Sequence, residues 1–178
     1  SSAASDVYKR QFKYNLKKTL KNTDMILYNS EQTKRTTEEI FPEAKSIANV
    51  NAYIISNPVK KQWDNKDDDY FLYVGNMEKR KGVDLLIKGY LQYKSRGGKK
   101  KLILGGKMQE EEINQIVRSA MMLDEDITYL DYVTHDKKHE LYASMSAFVF
   151  PSKAEGFGMP IIEVMRFKKP IIASNLPI

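Results

Sequence analysis

The chain has 178 residues, of which 42% are hydrophobic and 29% are charged, as expected for one folded domain or for a domain with part of another. It contains no cysteine, which excludes a disulfide framework and a thiolate zinc site, and no apolar stretch approaches the ~20 residues of a membrane span. The net charge of +6 favours an anionic partner, for which nucleic acid, a phospholipid surface and a nucleotide diphosphate all qualify.

The amino-terminal residues are treated separately. Residues 6–11 read like a translated sequencing adapter, so residues 1–11 are interpreted as an appended sequence and excluded from the prediction of the fold. The lysine-rich segment 12–21 then predicts a helix with one apolar face, formed by Phe12, Leu16 and Leu20. Its basic face fits an ordinary solvated helix better than a helix on a membrane surface.

The next elements are short. Met25–Tyr28 predicts a buried strand, and Ser30 is a suitable N-cap for a helix that runs to about Phe41. A second strand is predicted at Ala52–Ile55. Residues 57–69, with their proline, lysines and aspartates, predict a linker.

From residue 70 onward, predicted strands and helices alternate, which indicates a parallel sheet with helices on both faces. The strands are predicted at Tyr70–Val74, Lys101–Leu104, Ile127–Leu130, Ala147–Phe150 and Pro170–Ala173. Two helices are predicted from apolar stripes with helical spacing. These stripes consist of Val83, Leu86, Ile87, Tyr90 and Leu91 in one helix and Ile113, Ile116, Val117, Ala120 and Met121 in the other.

A glycine-rich turn follows the fourth of these strands. Glu155 and Glu163 are separated by seven residues, including Gly156 and Gly158, which let the backbone approach a ligand closely. Pro160 suits the first helical position, and free amides from about Phe157 to Ile161 would then favour a phosphate. The alternative is that both glutamates only belong to a helix start, where acids are common.

Two segments together resemble a known family. Residues 150–163 are similar to the donor-site signature of the retaining glycosyltransferases of family four, and residues 73–82 resemble the diphosphate loop of the same family. The resemblance extends from Asp24 to the last residue and implies a GT-B fold, of α/β class, with Rossmann-like parallel sheets. It assigns residues 12–56 to the end of the acceptor-side domain and residues 70–178 to the donor-binding domain, with the chain truncated at both ends.

The resemblance also implies roles for residues. Arg80 and Lys81 would neutralise the diphosphate, although many members carry arginine directly after the strand glycine Gly75, where this chain has Asn76. Glu155 would contact the sugar hydroxyls and Glu163 the ribose hydroxyls. Other donor-binding positions implied by the resemblance are Gly75 and Asn76 in the diphosphate loop, Tyr132 and Val133 near the base, Ser174 to Leu176 near the diphosphate or sugar, and Gly156, Phe157, Gly158, Met159 and Pro160 in the turn.

The implied activity is transfer of a sugar, with retention of configuration, from a UDP- or GDP-linked donor to a saccharide or lipid-linked acceptor. Polysaccharide or glycolipid synthesis in the cytoplasm, without a metal or other cofactor, is the expected setting. Basic charge would fit peripheral contact with an anionic inner leaflet. Because most of the acceptor domain is expected to be missing, the chain is expected to bind nucleotide better than it catalyses transfer.

Two segments have the spacing of metal-binding motifs but are not expected to bind a metal. Asp67–Asp69 has the spacing of a metal-binding aspartate pair but lies in the polar linker, and two basic residues already stand where the metal's charge would be needed. His135 and His139 lie four residues apart on a predicted helix, but no third ligand is evident, so a solvated helix is favoured.

Two other functions remain open at the level of sequence. A sugar-nucleotide epimerase with the same GT-B fold would need further acid and base groups, which the sequence does not locate. A basic nucleic-acid-binding module would draw on 29 lysines and arginines, but these are scattered among 23 acids without an aromatic-rich basic strand. Nucleic acid is therefore not expected as a partner.

Overall fold

The structure is a computed structural model that describes residues 2–51 and 63–176. The described residues form two compact units, one on each side of this gap. Within these ranges, no helix combines the length and the apolar character needed to cross a membrane.

The first unit contains two parallel strands and two helices. Ser30 caps the second helix as predicted, since its hydroxyl oxygen accepts a hydrogen bond from the Thr33 amide at 3.1 Å. Strands β1 and β2 pair in parallel, with Met25 opposite Ala48. The elements are α1 (Ser2–Leu20), β1 (Met25–Tyr28), α2 (Glu31–Ile40), a 3-10 helix (Pro42–Ser46) and β2 (Ala48–Asn51).

The strand predicted to be buried, β1, is not buried throughout, because Met25 and Leu27 are 56% and 67% exposed.

Two further predictions for this unit need correction. Helix α1 begins at Ser2, ten residues before the predicted start, and so includes most of the segment interpreted as appended. Phe12 is 57% exposed, because the apolar cluster of this unit lies at the far end of α1, where Leu20 and Leu16 meet Phe41. The strand predicted at Ala52–Ile55 and most of the linker fall outside the described residues.

The second unit contains five parallel strands in the order β5-β4-β3-β6-β7, which confirms the predicted sheet. Helices α3 and α4 cover one face, and α5 and α6 cover the other. The strands are β3 (Tyr70–Val74), β4 (Lys101–Gly105), β5 (Ile127–Leu130), β6 (Ala147–Phe150) and β7 (Ile171–Ala173). The helices are α3 (Val83–Ser95), α4 (Glu111–Leu123), α5 (His135–Ser144) and α6 (Met159–Met165), with a 3-10 helix at Lys79–Lys81.

The predicted apolar stripes account for most of the core on the α3 and α4 face. The buried members are Val83, Leu86, Ile87, Tyr90, Ile113, Val117 and Ala120. Met121 is an exception, since it lies at the edge of its stripe and is 39% exposed. The other face is rich in aromatic rings, with Tyr142 packed edge-on against Phe148.

The strand order reverses direction next to β3. From β3 the chain first builds outward through β4 and β5, and it then returns to place β6 and β7 on the opposite side. In an open parallel sheet, the connections that follow the two strands at such a point diverge and leave a crevice where ligands bind. The topology therefore directs attention to the residues after β3 and β6.

Candidate donor-binding site

The connections after β3 and β6 are packed backbone to backbone. Gly82 precedes α3 with φ of 72°, and a Cβ atom at this position would lie 2.0 Å from the carbonyl oxygen of Pro151. Only glycine fits, since the conformation and the close approach both exclude a side chain. The Lys153 amide also donates a hydrogen bond to the Arg80 carbonyl at 2.8 Å. The two predicted motifs therefore meet at the point where the strand order reverses.

Glu155 is held by groups from both connections. Lys81 Nζ lies 2.6 Å from Glu155 Oε1, and the Ser152 hydroxyl donates to the same oxygen at 2.6 Å. The side chains of Lys81 and Glu155 are only 16% and 8% exposed. Lys81 Nζ also lies 5.8 Å from the centre of the Phe150 ring. The charged pair is thus fixed in surroundings where water screens it little.

Arg80 lies beside this pair in a more exposed position. Its Nη1 donates to the Ala154 carbonyl at 2.9 Å, and its Nη2 contacts Glu78 Oε2 at 3.1 Å. The Asn76 amide group donates to the other oxygen of Glu78 at 3.2 Å. A half-exposed guanidinium is therefore oriented by both connections, with the polar side chain of Asn76 one contact away.

Buried Tyr73 supports the turn after β3. Its hydroxyl donates to the Asn76 carbonyl at 2.8 Å, and burial raises the pKa of this phenol. Tyr73 therefore remains a donor at neutral pH, which stabilises the backbone at Gly75 and Asn76.

Helix α6 begins one residue earlier than predicted. Gly158 is its N-cap, with φ of 76°, so Pro160 occupies the second helical position, not the first, and Glu163 lies beyond the first turn. The Ile161 amide donates to the Gly158 carbonyl at 2.9 Å, so the prediction that it is free to meet a ligand is wrong. The early start follows from the left-handed conformation of Gly158, which directs the chain into the helix at Met159.

Glu163 has its own set of partners, all on α5. Lys138 Nζ lies 2.8 Å from Glu163 Oε2, and the Tyr142 hydroxyl donates to the same oxygen at 3.2 Å. Burial, and secondarily the nearby Glu163 carboxylate, raises the pKa of Tyr142. The second glutamate is therefore positioned by α5, whereas the first is paired with Lys81.

The carboxyl ends of β3, β4 and β5 are drawn together. The Gly75 amide donates to the Gly105 carbonyl at 2.9 Å, and a Cβ atom on Gly106 would lie 2.1 Å from the Gly75 oxygen. A Cβ atom on Gly105 would approach Val133 Cγ2 to 2.8 Å. Neighbouring Tyr132 is 71% exposed. The side chain of Tyr132 is thus accessible near the carboxyl end of β5.

The two segments with metal-like spacing have structural roles. The Ser146 hydroxyl donates to Asp67, and Lys100 pairs with Asp69 at 2.6 Å, so this end of the predicted linker is bound to the second unit and is not simply solvated. The rings of His135 and His139 are 4.4 Å apart, and His139 also contacts the ring of Trp63. In the described part of the chain, no three acidic or histidine side chains gather as a metal site would require.

The comparison with known families decides the family of the chain. The family model described as glycosyl transferases group 1 matches residues 55–178. The chain belongs to this family.

A relative of the chain agrees with the assignment. The chain is 32% identical to the O-antigen chain mannosyltransferase B of Escherichia coli over 121 residues, which are 67% of this chain and 32% of that protein. The chain thus spans about a third of the length of that relative.

Solved structures confirm the GT-B fold. Sucrose-phosphate synthase from Thermosynechococcus elongatus superposes with a TM-score of 0.72 at 23% identity, covering 94% of this chain and 44% of that one. The pneumococcal O-GlcNAc transferase GtfA, in complex with UDP and GlcNAc, superposes with a TM-score of 0.62 at 16% identity, covering 90% and 32%. At these identities the likeness concerns the fold alone.

Six of the predicted site residues fall into three groups. Arg80, Lys81 and Glu155 meet after β3 and β6, whereas Glu163 contacts α5. The third group, Tyr132 and Val133, follows β5. Sequence reasoning assigned no role to Ser152, Glu78, Lys138 or Tyr142. The spacing of four residues between Lys138 and Tyr142 on a predicted helix places them on one face, but nothing local shows that this face meets Glu163.

Proposed function

We propose that this glycosyltransferase binds a UDP- or GDP-linked sugar in the crevice after β3 and β6 and takes part in its transfer, with retention, to a saccharide or lipid-linked acceptor. One observation carries the proposal. Two cations of the β3 connection contact the β6 connection at the point where the strand order reverses, since Lys81 pairs with Glu155 and Arg80 donates to the neighbouring Ala154 carbonyl. That arrangement combines positive charge for a diphosphate with a carboxylate for hydroxyl groups.

The cations are suited to a diphosphate because they differ in exposure. Arg80 is 49% exposed, and its planar guanidinium can present two parallel N–H groups to phosphate oxygens. Lys81 is largely buried and acts as a fixed point charge beside the crevice. Bound diphosphate would compete with Glu78 and Glu155 for these cations. In the proposed reaction they take the charge-neutralising role that a divalent metal takes in other transferases.

The chemistry follows from where charge develops. The bond between the anomeric carbon and the diphosphate oxygen breaks, and the acceptor hydroxyl bonds to the same face of the carbon while its proton passes to a departing phosphate oxygen. Negative charge grows on the leaving diphosphate, where Arg80 and Lys81 stabilise it, and such electrostatic stabilisation is often the largest catalytic contribution. Glu155 accepts hydrogen bonds from the sugar hydroxyls.

Other parts of the crevice would hold the nucleoside. In the proposal, Glu163 accepts hydrogen bonds from the ribose hydroxyls, and the backbone near Tyr132 and Val133 lies beside the base. The turn from Gly156 to Pro160 and the residues Ser174 to Leu176 after β7 would line the sugar and diphosphate. These positions remain predictions from the family resemblance.

The acceptor and the cellular setting are also part of the proposal. The mannosyltransferase relative in Escherichia coli acts on an O-antigen chain according to its name, which supports a saccharide acceptor in polysaccharide synthesis. A cytoplasmic enzyme that touches an anionic membrane surface through its basic charge would meet a lipid-linked acceptor there. Sedimentation with anionic and neutral vesicles tests this contact, and equal recovery on both would refute it.

Calorimetric titration of the full chain with UDP and GDP tests the donor site. We expect saturable binding of one nucleotide, weakened at least about tenfold by Arg80→Ala, since a charge-assisted hydrogen bond contributes ~1.5–3 kcal/mol. Glu163→Ala should weaken the same nucleotide. Arg96→Ala and Glu125→Ala are matched controls, because both residues are exposed and lie toward the opposite end of the sheet.

Two results of this titration would contradict the proposed donor site. A folded chain that binds neither nucleotide, or whose affinity falls equally in the control variants, would refute the donor site. Salt-dependent binding to DNA by such a chain would instead favour the nucleic-acid-binding alternative.

A further inference from the structure

Lys138 and Tyr142 act together on a single oxygen atom. They lie four residues apart on α5, which places both side chains on the same face of this helix. Lys138 Nζ is 2.8 Å from Glu163 Oε2, and the Tyr142 hydroxyl donates to that oxygen at 3.2 Å. Two residues from one helix therefore determine where the carboxylate of another helix points.

The use of one oxygen has a chemical consequence. A carboxylate has two oxygens with about four lone-pair positions, so contacts at Oε2 leave Oε1 able to accept hydrogen bonds from another donor. An unrestrained glutamate would lose side-chain freedom when it binds a ligand, and that loss of entropy weakens binding. Glu163 has already lost that freedom through Lys138 and Tyr142. It is preorganised to accept a hydroxyl group.

Packing fixes the position of the Tyr142 hydroxyl. The ring is fully buried and stands edge-on to the ring of Phe148 on β6, with 5.7 Å between the ring centres. It also packs against the ring of Phe167, with 5.6 Å between the centres. Burial also raises the pKa of Tyr142, so the phenol keeps its proton and remains a donor. Lys138 is mostly buried as well, with 18% of its side chain exposed. The Tyr142 hydroxyl is therefore held in place by the core of the domain.

We propose that Lys138 and Tyr142 are positioning residues that hold Glu163 for recognition of the ribose hydroxyls of the donor nucleotide. This inference rests on the proposed function, and it adds two residues on α5 that determine specificity for a ribonucleotide. They act through Glu163 and do not touch the ligand themselves. Their removal should weaken recognition of the ribose more than binding of the diphosphate.

The test compares UDP and GDP with 2′-deoxy-UDP and 2′-deoxy-GDP in calorimetric titrations of the full chain. For the nucleotide that binds, we expect the wild type to favour the ribonucleotide by about tenfold. Tyr142→Phe and Lys138→Met should each reduce that ratio at least about threefold. The affinity for the deoxynucleotide should change little. Lys138→Met keeps the test valid if Tyr142→Phe does not fold, because the Lys138 side chain is not part of the aromatic core.

Two variants serve as matched controls. Tyr90→Phe removes another buried phenol, whose hydroxyl donates to the Lys100 carbonyl at 3.0 Å on the opposite face of the sheet. Lys137→Met removes the neighbouring lysine, which pairs with Glu140 at 2.8 Å. Both should keep the wild-type ratio.

Each remaining outcome identifies what has failed. A wild type that binds neither UDP nor GDP overturns the proposed function, and this inference with it. A wild type that binds the ribonucleotide and the deoxynucleotide equally overturns the inference alone. Variants that keep the full ratio of ribonucleotide to deoxynucleotide affinity do the same. Equal loss of affinity for both forms shows a general structural role for α5, which also overturns it.

Discussion

The two glutamates of the site are held by similar chemistry but by different parts of the fold. Glu155 lies in a loop and is paired with Lys81, 74 residues earlier in the chain, and with neighbouring Ser152. Glu163 lies within α6, and both of its partners come from the preceding helix α5. Each carboxylate receives one ammonium group and one hydroxyl group on a single oxygen.

The difference shows which contacts depend on the reversal of strand order. The partners of Glu155 are brought together only because β3 and β6 are adjacent in the sheet, although they are far apart in the chain. The partners of Glu163 are brought together by two helices on one face of the sheet. Disturbing the junction between the connections should therefore affect Glu155 more than Glu163.

The largest effect is expected for Gly82→Ala, which breaks that junction. The added methyl group would collide with the Pro151 carbonyl and would force a left-handed conformation that costs ~1–2 kcal/mol by itself. We expect the free energy of unfolding to fall by at least about 3 kcal/mol, measured by urea denaturation. Gly97→Ala is the matched control, because Gly97 has φ of 86° but open space around its Cβ position.

The control separates conformation from packing. Gly97→Ala should cost only the conformational part, about 1–2 kcal/mol. If both variants lose the same stability, the contact between Gly82 and Pro151 does not hold the two connections together.

A smaller effect is expected when Lys81→Met removes the partner of Glu155. An unpaired and largely buried carboxylate should reduce stability by about 2 kcal/mol. The double variant with Glu155→Gln should lose less than the sum of the single variants, with a coupling of at least ~1 kcal/mol in a thermodynamic cycle. Urea denaturation of the four proteins measures this coupling.

The same thermodynamic cycle with Lys138→Met and Glu163→Gln measures the coupling of the second ion pair. Glu163 is 20% exposed, against 8% for Glu155, so water screens its ion pair better. We expect a coupling below ~1 kcal/mol there. A stronger coupling at Glu163 than at Glu155 would contradict the proposed ranking by burial.

The smallest effect concerns pH and His139, which lies on α5 beside Lys138. Burial lowers the pKa of His139, aided by the charges of His135 and Lys138 and opposed by those of Glu163 and Asp136. The unfolded chain therefore takes up this proton more readily than the folded chain. The contribution of the neutral His139 ring to the free energy of unfolding should be fully present above about pH 6.5. It should decline as the pH falls below that value.

Urea denaturation at about pH 7.5 and 5.5 measures this decline. His139→Gln should flatten the part of the pH dependence that arises from this ring. His135→Gln should flatten it less, because His135 is only one of the causes of the shift. An unchanged pH dependence in His139→Gln would exclude this histidine as its source.

Local sequence patterns predicted most of the second unit but little of its detailed contacts. The stripe from Val83 to Tyr90 was identified because its spacing matches a helix that buries one face. The position of Glu163 within α6 was predicted less well, because the helix start depends on the conformation of Gly158, which the sequence permits but does not require. Phe12 was misplaced since a periodic pattern does not reveal how far a partner surface extends.

The alternation of strands and helices, the glycine-rich turn before α6 and the family could be read from the amino-acid sequence, because these features depend on residue spacing along the chain. The contacts of Lys81 and Ser152 with Glu155, and of Lys138 and Tyr142 with Glu163, became visible only in the folded chain. Such contacts form when distant strands and helices pack against each other. Local propensity chooses the elements, whereas the order of the strands in the sheet chooses which side chains become neighbours.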